Sequence, residues 1–438
     1  MAVNWPSVSL GSLAANYRAS VAIGPFGSAM KADTYTLVGV PVIRGTNISE
    51  RRAWKGEWVF ISDEFANSMP RCVVRAGALV FPHRGSIGEV AIVPVDEHER
   101  YFLSTSLMKI EIDPAKANPN FVYFFFRSPD GRSEILRYAS QVGTPGIGQP
   151  LESLRRFKLP LPPLGVQDAI AAILGALDNK IDLNSRMNET LEAMARAIFK
   201  DWFIDFGPTR AKIECRAPYL APEIWKLFPD RLDDEGKPDG WHPEPLLKHA
   251  HLLSGGTPKT ADAAYWGGPI SWASAKDVSQ CGALFLLDTE RSITGLGLTE
   301  SSTRMIPMLS TVVVARGATT GRFCMLGREM AMNQTCYALA TRGNRPFWVN
   351  CVFASLVESI VHGAHGSVFD TITTRTIQTA MTVIPSEAVL DLFEGSVGPL
   401  FMRALGNHEE SRSLAQIRDL LLPKLMSGEI RVKDAEKR

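Results

Sequence analysis

Two long stretches of the chain alternate apolar positions by fours and threes. In the first, Ile170, Leu174, Leu177, Ile181, Asn184, Asn188, Leu191, Ala195, Ile198 and Trp202 fall on one helical face. Adding 223 gives the second face: Phe393, Val397, Leu400, Ala404, Asn407, Ser411, Leu414, Arg418, Leu421 and Leu425. A 3.5-residue repeat sustained over several heptads is a coiled-coil seam. Both seams are apolar at the ends and polar in the middle. Antiparallel pairing would set Asn184 and Asn188 against Asn407 and Ser411, so that the polar groups satisfy one another and fix the register. A helix from about Gly165 to Phe203 would be ~57 Å long at 1.5 Å per residue.

The remaining pattern is shorter in period. Apolar, β-rich runs at Arg75–Phe81, Glu89–Val95 and Leu107–Ile112, and again at Thr311–Ala315, Arg322–Leu326 and Cys336–Ala340, are bounded by Gly, Ser and Thr. They predict strands, with helix around Phe121–Arg127. The expected class is α+β, with a mixed, curved sheet in each block. Landmarks recur at offsets of about 223 to 232 residues, so the chain reads as an internal duplication. "PVIRGTNI" at Pro41 answers to "PISWASAKDV" at Pro269, and "LVFPHRGSIGEVAIV" around Arg84 to "VVVARGATTGRFCML" around Arg316. Gly143 to Pro162 pairs without a gap with Gly366 to Pro385. The expected organisation is a first α+β domain at 1–162, a helix at 163–206 and a linker at 207–240. A second α+β domain at 241–384, a helix at 385–428 and a tail at 429–438 follow. The proline- and charge-rich linker should run over the surface, tacked down by Tyr219, Trp225 and Phe228.

Composition narrows the class. The 438 residues carry a net charge of +1, with 45% hydrophobic and 21% charged residues, an ordinary soluble mix. The longest apolar-or-glycine run, Ala169 to Leu177, is nine residues, too short to span a bilayer. The N-terminus lacks a basic region followed by an apolar one, so a secretory signal is not expected. Six scattered cysteines without CxxC spacing suit a reducing cytoplasm better than a disulfide or zinc scaffold. Mildly basic blocks alternate with acidic ones, which permits a nucleic-acid partner without demanding it.

Candidate catalytic motifs are weak. No GxxxxGK[ST] loop occurs. Asn118-Pro-Asn-Phe121 lacks the second proline of an amino-methyltransferase tetrapeptide, and Pro229-Asp230 with Glu235-Gly-Lys237 places a nuclease-like set inside one turn-rich linker. His249, His251, His362 and His365 have no third metal ligand at a sensible spacing. No catalytic set and no metal site are expected.

The combination of two diverged blocks with seam helices opening "LPLPPLGVQDAIAAILGALDNKIDLN" and "IPSEAVLDLFEGSVGPLFMRALGN" resembles the DNA-specificity subunits of type I restriction–modification enzymes. "IFKDWFIDFGPTRAKIE", "LLPKLMSGEIRV" and "LLSGGTPKT" add to the likeness, while the first block departs from the pattern, with "AIGPFGSAMK" where the family often has "SGGTP". The resemblance implies two target recognition domains and two spacer helices forming an antiparallel coiled coil. It implies double-stranded DNA, two modification (methyltransferase) subunits and restriction subunits as partners, with no membrane. S-adenosylmethionine and ATP would bind those partners, leaving this chain without cofactor or catalytic residues. Loop residues suited to phosphate and base contacts are Lys31, Arg44, Asn47, Arg84, Ser86 and Thr144 in the first block. In the second they are Thr257, Lys259, Lys276, Arg316, Thr319, Asn333, Gln334 and Ser367. Arg84 and Arg316 lead, because both occupy equivalent glycine-flanked turns. The rival readings are a self-contained DNA-modifying enzyme and a coiled-coil scaffold that touches no DNA. The helix as a ruler predicts that four residues inserted before Gly165 would shift the first block by ~6 Å and lengthen the spacer by ~2 base pairs.

Overall fold

The computed structural model describes residues 5–26, 29–48, 54, 56–94, 98–140, 145–362 and 371–432. The chain divides into two compact units, 1–183 with 411–438, and 184–410.

In the first unit the β-rich runs form two sheets and two small ribbons, not one curved sheet. One sheet orders Val21–Ile23, Leu107–Ile110, Leu79–Pro82 and Ala91–Ile92; the other orders Tyr35–Thr36, Phe60–Ile61, Val40–Ile43, Tyr101–Leu103 and Val73–Val74. The shortfall from the single expected sheet has a local cause. Arg75-Ala-Gly-Ala78 turns the chain (Gly77 has φ +82°), ending one short strand and releasing the next at Leu79. Behind the first sheet lies the helix Pro119–Arg127, whose Phe121 to Phe126 are all buried. Asn118 starts it, its side chain accepting from the amides of Asn120 and Phe121, with proline at the first helical position. The methyltransferase-like tetrapeptide is thus a helix cap.

The second unit repeats this plan. One sheet orders Ala250–Ser254, Cys336–Thr341, Thr311–Val314, Phe323–Leu326 and Phe285–Leu286; the other orders Arg291–Ile293, Trp266–Ala273, Met330–Met332 and Met305–Ile306. Each second sheet holds one parallel pair, Ile43 against Leu103 in one unit and Ala273 against Met332 in the other. That shared register fixes residue equivalence between the copies. It also corrects the gap-free pairing of Gly143–Pro162 with Gly366–Pro385. Ile147 and Ile372 occupy the same backbone position, bonded to the carbonyls of His83 and Ala315, but are separated by 225 residues.

The long helices run Leu164–Phe199 and Glu387–Met426, about 54 and 60 Å at 1.5 Å per residue. A π-helical turn, Lys200–Ile204, extends the first. Within the first unit Val166, Ile170 and Leu174 share one apolar cluster with Leu422, Leu425 and Met426, as an antiparallel pair requires. Arg418, on the predicted apolar seam, meets the buried Asp178 at 2.8 Å. Within the second unit Asn188 Nδ2 donates to the Ala404 carbonyl (3.1 Å), and Asn407 Nδ2 donates to Asn188 Oδ1 (2.8 Å). Asn184 Nδ2 donates to Glu410 at 2.8 Å. Facing residue numbers add to about 595 throughout. A duplication of 223 then centres the pair on Arg186 and Glu409, which are equivalent residues.

The start of the first long helix is locked to its own module. Asn118 N–H donates to Gln167 Oε1 (2.9 Å), and Gln167 Nε2 donates to the Pro162 carbonyl (2.8 Å). Four residues inserted before Gly165 would break these bonds and the shared cluster, so the ruler has to be lengthened elsewhere. Residues 207–240 are more structured than expected, with helices Gly207–Ile213 and Pro222–Trp225. Phe228 and neighbouring Trp241 are buried against Trp202 and Phe203, whereas Tyr219 stays exposed. The nuclease-like acids and lysine are consumed there: Asp230 pairs with Lys212 at 2.7 Å, and Glu235 pairs with Lys237.

A candidate nucleic-acid interface

In each unit a central strand ends in a glycine turn that projects an arginine. Leu79–Pro82 leads to His83-Arg84-Gly85-Ser86, with Gly85 at φ +80° and Gly88 at φ +96°. Thr311–Val314 leads to Ala315-Arg316-Gly317, with Gly317 at φ +104° and Gly321 at φ +89°. Only glycine enters this left-handed region without cost, which is why the spacing was visible in the sequence.

The same backbone node holds both arginines. His83 N–H donates to the Ser106 carbonyl and accepts Ile147 N–H at its own carbonyl, each at 2.9 Å. Ala315 N–H donates to Thr335 (2.8 Å) and its carbonyl accepts Ile372 N–H (2.9 Å). Arg84 then bridges Gly146, and Arg316 bridges Thr371. Both guanidinium groups are exposed, and neither meets a carboxylate among the described residues. Beneath Arg84, His83 is buried, its Nε2 3.1 Å from the Thr105 carbonyl. Burial holds its pKa below the ordinary value.

The loop beside each arginine is pinned by close backbone approach. A Cβ on Gly24 would lie 1.9 Å from the Ser104 carbonyl oxygen, and one on Gly255 would lie 2.0 Å from that of Met332. "AIGPF" and "SGGTP" therefore fill the same place, which sets Phe26 opposite Thr257 in the alignment of copies. The sheet register likewise makes Ser104-Thr105-Ser106 equivalent to Asn333-Gln334-Thr335. Thr257 Oγ1 donates to exposed Gln334 Oε1.

The other candidates divide clearly. Lys31, Ser86, Lys259 and Thr319 are exposed on loops. Asn47 is not available: it is fully buried, its Oδ1 accepts Arg44 N–H (3.0 Å), and its Nδ2 donates to the Glu57 carbonyl. Asp277 makes the same reciprocal cap with Ser274, so this position serves the loop in both copies. Arg44 is half-buried and donates to Glu57 O at 2.6 Å. Asn333 is also buried, its Oδ1 accepting from Thr335 N–H and Oγ1. Lys276 is exposed but paired with Glu290 at 2.6 Å. Thr144 and Ser367 lie outside the described residues. Sequence reasoning missed Phe26, Thr105 and Gln149, which line a cleft with Arg84. It also missed Arg291, whose guanidinium stacks 3.4 Å above the Trp266 ring. Thr105 could be found only as the counterpart of Gln334, and that equivalence rests on sheet register.

Among the described residues no group of three His, Cys, Asp or Glu is placed to hold a metal, and no helix is long and apolar enough to cross a membrane. The structure thus defines a class: a duplicated α+β protein in which segments of the two long helices pair antiparallel within each unit, with one arginine turn per copy and diverged loops around it. Residues 26–193 match the family model of the type I restriction modification DNA specificity domain. The HindI specificity subunit of Haemophilus influenzae is 26% identical over 76% of this chain and 82% of its own length. The MjaIX specificity subunit of Methanocaldococcus jannaschii is 25% identical over 86% and 85%. The solved type I restriction–modification S subunit of M. genitalium shares the fold, with a TM-score of 0.58 at 15% identity over 97% of this chain and 96% of that one. The matching family model and both of these relatives are type I restriction–modification specificity proteins, and that is the family this chain resembles.

Proposed function

We propose that this subunit reads a bipartite, asymmetric sequence in duplex DNA, one half through each module, and directs adenine methylation and restriction carried out by partner subunits. The observation that carries this reading is the shared node. Among the described residues both modules present an exposed arginine without a carboxylate partner on the same turn, while the positions around it differ in chemistry. A common phosphate or guanine contact with different neighbours is what two related readers of different half-sites need. Two methyltransferase subunits and the restriction subunits supply the chemistry, with S-adenosylmethionine and ATP bound to them, in the cytoplasm. The chain itself contributes recognition and no catalytic group.

The test exchanges residues 1–162 for those of another specificity subunit, keeping Val166, Ile170, Leu174, Leu422, Leu425 and Met426, which complete the first unit's core. Sequencing of methylated sites should show one half-site changed and the other kept. A change in both from a folded chimera would contradict independent modules. Methylation by the purified chain alone, supplied with S-adenosylmethionine, would contradict the recognition-only role.

A further inference from the structure

We propose that Gln149 is a base-reading residue of the first module and selects an adenine–thymine pair in its half-site. This rests on the reading of the chain as a DNA-sequence reader.

Gln149 lines a cleft of about 890 Å³ together with Phe26, Arg84, Thr105 and Arg156. Phe26 is 65% exposed, an aromatic face open to a ligand. Arg156 is committed to Glu152 at 2.9 Å, which leaves Arg84 as the cleft's uncommitted cation among the described residues. The backbone ladder from His83 to Ile147 brings Gln149 beside that arginine.

Gln149 sits at φ +48°, ψ +61°, left-handed for a residue that also precedes a proline. Both features are unfavourable, and neither is needed to start the helix that follows. The second module shows the economical alternative. There Ile372 is followed directly by Thr373, whose hydroxyl accepts from Thr376 N–H as an ordinary cap. In the first module Gly148 is inserted between Ile147 and the equivalent residue. Gln149 makes no cap bond with its side chain, which is exposed. The insertion therefore converts a helix cap into a free amide at the cleft.

A carboxamide offers a donor and an acceptor side by side. That pair matches the N6 amino group and N7 of adenine in the major groove, and no other base edge there accepts both bonds from one glutamine as well. Arg84 alongside is suited to a neighbouring guanine or phosphate.

The reconstituted complex with its modification subunits is assayed on duplexes carrying each of the four pairs at every position of the first half-site. Methylated-site sequencing runs in parallel. With Gln149→Gly, which also relieves the backbone, one position should lose roughly ten-fold or more of its selectivity. That position should be an A·T pair for the parent. Gln149→Glu, which can only accept, should disfavour adenine at the same position. The second half-site should be unchanged in both. Selectivity unaltered at every position, loss at a G·C pair, or loss confined to the second half-site would overturn the proposal. A parent complex with no bipartite preference at all would instead overturn the reading beneath it. If Gln149→Gly abolishes methylation, duplex binding by the same complex supplies the selectivity, with the same outcomes deciding.

Discussion

Glu394 lies under the first turn of the helix Pro346–His362, where its carboxylate accepts from the amides of Phe347 (3.1 Å) and Trp348 (2.9 Å). Burial raises its pKa to about 6, against the lowering effect of those amides and of Arg345. A carboxyl raised in the folded state contributes stability fully below its ordinary 4.5, and that contribution is lost as pH rises through 6. Glu394→Gln keeps an acceptor and removes the charge. Thermal melting of variant and parent should therefore diverge in the variant's favour between pH 5 and pH 7; a difference independent of pH would contradict the assignment. Polar residues in this protein look alike in sequence whether they cap or contact. Asn47 and Asn333 have the chemistry of base readers and the positions of loop fasteners, and no local pattern separates the two. The turns that carry Arg84 and Arg316 were legible because they require glycines at fixed spacing, which sequence records directly.

At the scale of the elements, the seam of the helix pair was legible because its period is long and strict, and its polar centre was legible because it repeats. The identity of each polar partner was not. Arg418 occupies a seam position whose equivalent is Ala195, and its partner Asp178 is equivalent to Phe401. The ion pair of the first unit is thus replaced by an apolar pair in the second, where Ala195 and Phe401 share one cluster. Arg418→Ala leaves the Asp178 carboxylate buried without its cation and should cost about 3–5 kcal/mol in chemical denaturation. Asp178→Phe with Arg418→Ala, which copies the second unit, should recover most of that loss. Failure of the double variant to recover would show that the pair does more than fill the seam. Asn188→Ala removes the acceptor of Asn407 and a donor to the Ala404 carbonyl, and should destabilise by about 1–3 kcal/mol. The short strands were poorly bounded in sequence because glycine turns cut them to two or four residues. The existence of two sheets per copy depends on long-range parallel pairing that period alone does not encode.

At the scale of the molecule, the duplication is the organising fact, and it constrains how the helices can be lengthened. The first unit's core takes residues from the start of one helix and the end of the other. An added turn therefore has to enter both, next to the equivalent midpoints Arg186 and Glu409. Four residues in each add about 6 Å, or about 2 base pairs of B-DNA. The recognised spacer should lengthen by about that amount with both half-sites kept; an unchanged spacer in an active complex would contradict the ruler. The central claim is that each module reads its own half of one target. Sequencing of DNA methylated by the complex of this subunit with its modification partners tests it most directly. The predicted result is a single bipartite motif with two dissimilar halves around a non-specific spacer of fixed length. A contiguous or palindromic motif, or methylation that does not depend on this chain, would contradict it.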